Sequence, residues 1–264
     1  MSAPTAPIAL PGFDIEAIGA RLDETGYAVV PGVLSPSEAD YVTERLWAAS
    51  EESQRRGLPA HVEGLDPNAA NVRVFDLVDL DPLFGDLLQH PVADAIVARF
   101  LGDNYIISNF TANIARPGSG SMFIHSDQSL VAPEPWLDPW AMNIIWCLSD
   151  LRADNGATRH VPGSARWTSR RDVPDDMEDR LVAFEAPKGA ILAMEGRVWH
   201  TSGPNITDDE DRPLLFGYYT KPFVRPQWNF GVALRPEMQD RFSPMMRYRL
   251  GLDPWLNAGG PRQP

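Results

Sequence analysis

The chain has 264 residues, 44% hydrophobic and 22% charged, the proportions of an ordinary globular protein rather than a disordered or fibrous one. Its formal net charge of −13, from 36 acidic against 23 basic residues, speaks against a nucleic acid or an anionic membrane as partner, since either needs a concentrated basic surface. The single cysteine, Cys147, allows no internal disulfide and fits a reducing, cytoplasmic setting.

In chain order, "MSAPTAPIALPGFD" lacks a basic n-region and reads as a loose proline-rich arm rather than a signal peptide. No window approaches the ~18 uninterrupted apolar residues of a membrane span. "DIEAIGARLDETG" places Ile15, Ile18 and Leu22 at helical spacing and stops at Gly26. "YAVVPGVL" reads as a strand. "SPSEADYVTERLWAAS" opens a helix with Ser35 as N-cap, Pro36 at the first position and Glu38 closing a capping box. "HPVADAIVARFLG" is a further helix, with His90 in a capping or packing role.

Beyond this point the texture is β-rich. "NYIISNFTANIAR", "WAMNIIWCLSDL", "LVAFEAPKGAILAMEG" and "PLLFGYYTK" are short runs separated by Gly, Pro, Asn and Asp. They predict a sandwich or barrel with helices packed around it. "PEMQDRFSPMMRYRLGL" is read as one last helix before a Pro/Gly-rich tail. No repeat or linker interrupts the chain, so residues 1–264 are expected to form one domain. Its parts are a helical portion at about 13–103, a β core at about 104–235 and a C-terminal helix and tail at 236–264.

"FIHSDQSL" sets His125 and Asp127 two residues apart, on one side of the chain if the segment is extended. A surface ion pair and a metal site are both open readings of that pair alone. His200 ends the strand-like "AILAMEGRVWH" ahead of the turn "TSGPN". A His-x-Asp pair with a distant histidine is the composition of the facial triad that holds Fe(II) and leaves positions open. His61 and His160 read as lying outside such a set, His160 as a packing residue.

Taken together, "IHSDQ", "NGATRHVPGSARW" (155–167), "WHTSGPN", Arg212, "GYAVVPGVLSPSEAD" and "RPQWNF" (225–230) resemble the phytanoyl-CoA dioxygenase family over nearly the whole chain. The resemblance implies a mainly β protein with flanking helices (α+β) around a double-stranded β-helix, the cupin-like jelly-roll. It implies Fe(II) held by His125, Asp127 and His200, with 2-oxoglutarate and O₂ as cosubstrates. Arg212 falls on the residue that grips the 2-oxoglutarate C5 carboxylate, and Thr158 and Ser202 on hydroxyls that help hold it. Met122 departs from relatives that carry glutamine there.

The implied reaction oxidises an unactivated C–H bond of a small, largely apolar molecule, by default a hydroxylation, with desaturation, epoxidation or rearrangement as variants. A natural-product intermediate fits better than a CoA thioester. Asp127 stands where related halogenases have a small residue, which disfavours halogenation. A metal-dependent hydrolase using the same three ligands would leave Arg212 without a task. An inactive jelly-roll binding module is the reading from outside enzymology. Trp136 and Trp140 in "VAPEPWLDPW", with Trp228 and Phe230, are expected to wall the substrate pocket, and Val131–Trp140 to form a lid over it.

Overall fold

The local signals at the helix ends reappear in the computed structural model, which describes residues 10–253; the rest of the N-terminal arm and the tail from 254 lie outside the described residues. Helix α1 (Ile15–Thr25) starts where Asp14 accepts from the Ala17 amide at 3.0 Å, and it ends at Gly26. Gly26 has φ +83°, and a Cβ there would lie 2.6 Å from the Ala165 methyl, so only glycine fits. Strand β1 (Tyr27–Val30) is shorter than expected because Pro31 and Gly32 turn the chain. Helix α2 (Pro36–Arg55) carries the reciprocal capping box of Ser35 and Glu38. Three elements then follow that local patterns did not disclose: β2 (Asn71–Val74), α3 (Leu77–Leu80) and α4 (Pro82–Leu88). Helix α5 (Pro91–Leu101) is capped by His90, whose ring accepts from the Val92 amide.

The β region comprises β3 (Ile106–Ala115), a short helix α6 (Asp127–Val131), β4 (Ala141–Cys147), β5 (Arg159–His160), β6 (Val182–Ala183), β7 (Ile191–Glu195), β8 (His200–Thr201) and β9 (Arg212–Thr220). The larger sheet is antiparallel in the order β1-β7-β4-β9-β3-β2, and a smaller one runs β6-β5-β8. The two sheets and flanking helices are the expected jelly-roll architecture. One boundary needs correction: β1 and β2 are part of the larger sheet, so the β core does not begin near residue 104.

The expected C-terminal helix is also corrected. It breaks into two, α8 (Pro236–Gln239) and α9 (Pro244–Arg249), and a separate short helix, α7 (Phe230–Ala233), precedes it. Pro244 has no amide hydrogen to continue a helix, and Ser243 caps a new one by accepting from Met246.

The larger sheet has two different faces. Its outer face, with Phe110, Ile144, Trp146 and Leu215, packs on Leu46, Phe84 and Ile96 of the helices. Its inner face is apolar along β7 and half of β4, where Ile145, Cys147, Leu192 and Met194 meet Phe184. Burial pushes the Cys147 thiol up to about 12, consistent with an inert core residue. Toward β9 and β3 the inner face turns polar and opens into a cavity of about 240 Å³.

Candidate active site

The smaller sheet builds the site. His125 and His200 exchange backbone hydrogen bonds of 3.0 and 2.8 Å, so the segment before α6 adds itself beside β8. Directly paired residues share a face, which brings the two imidazoles together with ring centroids 4.5 Å apart. The expectation of one extended segment holds only to Ser126, at φ −118° and ψ 131°. Ser126 caps α6, and Asp127 is that helix's first residue. Its carboxylate still reaches the histidines, 3.6 Å from His125 Nε2 and 4.0 Å from His200 Nε2.

One ligand atom from each of the three residues lies within 4.8 Å of the others, a group that could hold a metal ion. The tautomers are favourable. His125 Nδ1 faces the Phe123 carbonyl at 3.1 Å and His200 Nδ1 the Val198 carbonyl at 3.0 Å. A carbonyl can only accept, so each Nδ1 carries the hydrogen, and in the neutral imidazole Nε2 then keeps its lone pair for a metal. Asn143 donates to Asp127 from β4 and fixes the carboxylate. Burial disfavours charge on Asp127, but His200, His125 and Asn143 outweigh it and hold its pKa below the usual range. Burial pulls His200 down, toward the neutral ligand form.

Arg212 opens on the same cavity, together with Thr158 and Ser202. It is 1% exposed, and among the described residues its guanidinium makes one hydrogen bond, Nη1 to the Asn113 carbonyl at 3.3 Å. Its Nε has no partner, and burial lowers its pKa to about 10, so it is still charged at neutral pH. A buried cation without a carboxylate is costly unless an anion comes to it. Ser202 Oγ accepts from the Met122 amide, and the Met122 thioether accepts from Arg73 Nη2 at 3.3 Å.

The four aromatics expected to wall the pocket do not line this cavity, and that assignment is corrected. Trp136 is buried with Val161 and Trp199 in a separate cluster, and its Nε1 donates to the Ala132 carbonyl at 2.9 Å. Trp140 meets Phe223 edge-on. Trp228 stacks behind Phe75 and donates to Asp76, while Phe230 belongs to the helix-side core. Phe75, Phe216 and Tyr218 are the aromatics that do line the cavity, among a majority of polar residues.

The expected lid is tied down as well. Gln128 bridges the Asp138 carbonyl and the Trp140 amide, the Trp136 amide donates to Thr168, and Arg197 reaches the Leu137 carbonyl. Trp136→Ala is therefore expected to cost about 3–5 kcal/mol of unfolding free energy, the range for emptying a buried indole site. The affinity for 2-oxoglutarate is expected to stay unchanged. Denaturant unfolding and anaerobic 2-oxoglutarate titration check the two halves; normal stability with unchanged 2-oxoglutarate affinity but succinate release uncoupled from product would restore the lid.

Asn143, Arg73, Phe75, Phe216 and Tyr218 were not singled out from the sequence. A signal existed only for their neighbours Asn109, Thr111 and Asn113, in the alternation of "SNFTANI", which marks a polar strand face without saying whether water or a cavity lies beyond it.

Comparison with known proteins gives concordant results. A family model described as Phytanoyl-CoA dioxygenase (PhyH) matches residues 22–214. The chain is 49% identical over 240 residues to "Dioxygenase af480" of Aspergillus fumigatus, covering 91% of this chain and 78% of that protein. It is 28% identical to the "Fe(II)/2-oxoglutarate-dependent dioxygenase nvfF" of Aspergillus novofumigatus, covering 94% and 84%. Among solved structures, the non-heme alpha-ketoglutarate-dependent carbocyclase SnoK from nogalamycin biosynthesis shares the fold. Its TM-score is 0.64 at 21% identity, with 92% of this chain and 94% of that chain covered.

Proposed function

Because the chain belongs to the phytanoyl-CoA dioxygenase family of Fe(II)/2-oxoglutarate-dependent enzymes, we propose that it oxidises an unactivated C–H bond of a small natural-product molecule, by default as a hydroxylation. The natural-product setting is suggested by the nogalamycin enzyme that shares the fold. Among the described residues no helix is long and apolar enough to cross a membrane.

The donor set fits the metal. Two imidazole nitrogens and one carboxylate, with no thiolate, suit Fe(II) and leave room for other ligands. When bound, the iron supplies the O₂ chemistry that couples decarboxylation of 2-oxoglutarate to oxidation of the substrate. The protein's own part is positioning. Phe123 and Val198 carbonyls orient the histidines, and Asn143 holds Asp127. Arg212 would receive the C5 carboxylate of 2-oxoglutarate, with Thr158 and Ser202 beside it.

The buried Arg212, which has no carboxylate partner among the described residues, carries this reading, because it offers a cation for the far carboxylate of 2-oxoglutarate that hydrolysis by the same three ligands does not require. Anaerobic addition of Fe(II) and 2-oxoglutarate is expected to produce a weak visible charge-transfer band, followed by succinate release on admitting O₂. A protein that gives neither, yet binds Zn²⁺ and hydrolyses esters, would favour the hydrolase.

A further inference from the structure

The inner face of the larger sheet carries a polar line that the assignments above leave mostly unused. Asn143 on β4, Tyr218 on β9 and Asn109 on β3 are register partners, so their side chains stand side by side. All three line the cavity. The line begins at Asp127, to which Asn143 donates, and ends at Gln227, whose Oε1 lies 3.5 Å from Asn109 Nδ2. Thr111 and Asn113 follow Asn109 at two-residue steps on the same face. The Tyr218 hydroxyl and Asn113 Nδ2 are buried with no hydrogen-bond partner among the described residues.

A β-bulge puts this line in place. Ile107 pairs with Tyr219 on the helix-packed face, whereas Asn109 pairs with Tyr218 on the cavity face, so Ser108 is the extra residue between them. Without it, two-residue alternation would send Asn109 to the same face as Ile107. Ser108 also anchors the segment that supplies Gln227, since its Oγ accepts from the Gln227 amide and its carbonyl from the Trp228 amide, each at 2.9 Å. Burial raises the Tyr218 phenol's pKa, and Asp127 adds to the effect, so the hydroxyl stays a neutral donor. An unpaired hydroxyl at this depth weakens the free protein, and phenylalanine would serve better there unless a ligand takes the hydrogen bond.

We propose that Tyr218 and Asn109 bind an oxygen substituent of the substrate, which is then a compact molecule already bearing a hydroxyl or carbonyl group. The inference rests on the reading of the site as an Fe(II)/2-oxoglutarate centre. It requires a substrate that already carries oxygen when it reaches this enzyme, and it makes Tyr218 and Asn109 specificity-determining. A bare hydrocarbon leaves the Tyr218 hydroxyl unpaired and is rejected.

Two measurements test it. The first is thermal unfolding of Tyr218→Phe without ligands. A melting temperature equal to or above that of the wild type is expected; a fall of several degrees would show that the hydroxyl already has a structural partner, and would overturn the proposal. The second uses matched probes, trans-decalin against 2-decalol and 2-decalone, read as stimulated succinate release. An oxygenated probe is expected to stimulate the wild type about tenfold or more over decalin. That ratio is expected to fall toward one in Tyr218→Phe and in Asn109→Leu. Equal responses to decalin and its oxygenated partners, including none to any of them, overturn the inference. The probe-free anaerobic band of the wild type separates the two failures: a missing band sinks the reading of the site, and an intact band with equal responses sinks only this proposal.

Discussion

Replacing His200 or His125 by alanine is expected to reduce succinate formation from 2-oxoglutarate by more than about 100-fold, beyond what loss of an outer-shell partner costs a metal site. Each histidine would contribute one nitrogen to a three-ligand set whose donor atoms lie within 4.8 Å of one another. Deleting either leaves two donors, too few to hold a divalent ion against water. Asn143→Ala removes only the hydrogen bond that orients Asp127, so iron affinity is expected to fall by about 10–100-fold. The two effects are separable by titrating Fe(II) into apo-protein anaerobically, with circular dichroism to verify the fold. Either alanine variant keeping wild-type iron affinity and turnover would remove that histidine from the centre.

Arg212 gives the second large effect. Arg212→Ala is expected to raise the apparent Michaelis constant for 2-oxoglutarate by a factor corresponding to about 2–5 kcal/mol, the cost of breaking a desolvated charge pair. Arg212→Lys is expected to recover part of it, because an ammonium carries the charge but not the planar fork that meets a carboxylate with two parallel bonds. Stability is expected to move the other way. In the free protein the Arg212 guanidinium is buried without a carboxylate partner, so removing its charge would relieve a burden that bound 2-oxoglutarate is proposed to relieve. Calorimetry with and without 2-oxoglutarate reads both changes. An unchanged Michaelis constant in both variants would make Arg212 a structural residue that happens to lie beside the cavity.

The sequence by itself determined the features that depend on neighbours along the chain. Ser35, Pro36 and Glu38 specify the start of α2 because a capping box closes within four residues, and Gly26 ends α1 because its left-handed backbone excludes other side chains there. The long strands β3, β4 and β9 were visible as β-branched and aromatic runs. The ordered motifs around His125, Asp127, His200 and Arg212 pointed to the family before any coordinates. Tertiary structure decided the rest. Strands β5, β6 and β8 have two residues each, too few to show a period, and exist through pairing with partners far along the chain. The aromatic wall was misjudged for a related reason: proximity in sequence to Asp127 does not say which side of a packed layer an indole enters, and Trp136 entered the side away from the cavity. The polar wall facing the three ligands rests on one extra residue, Ser108. A bulge is invisible in the alternation of a single strand, because the register that defines it belongs to the partner strand as much as to its own.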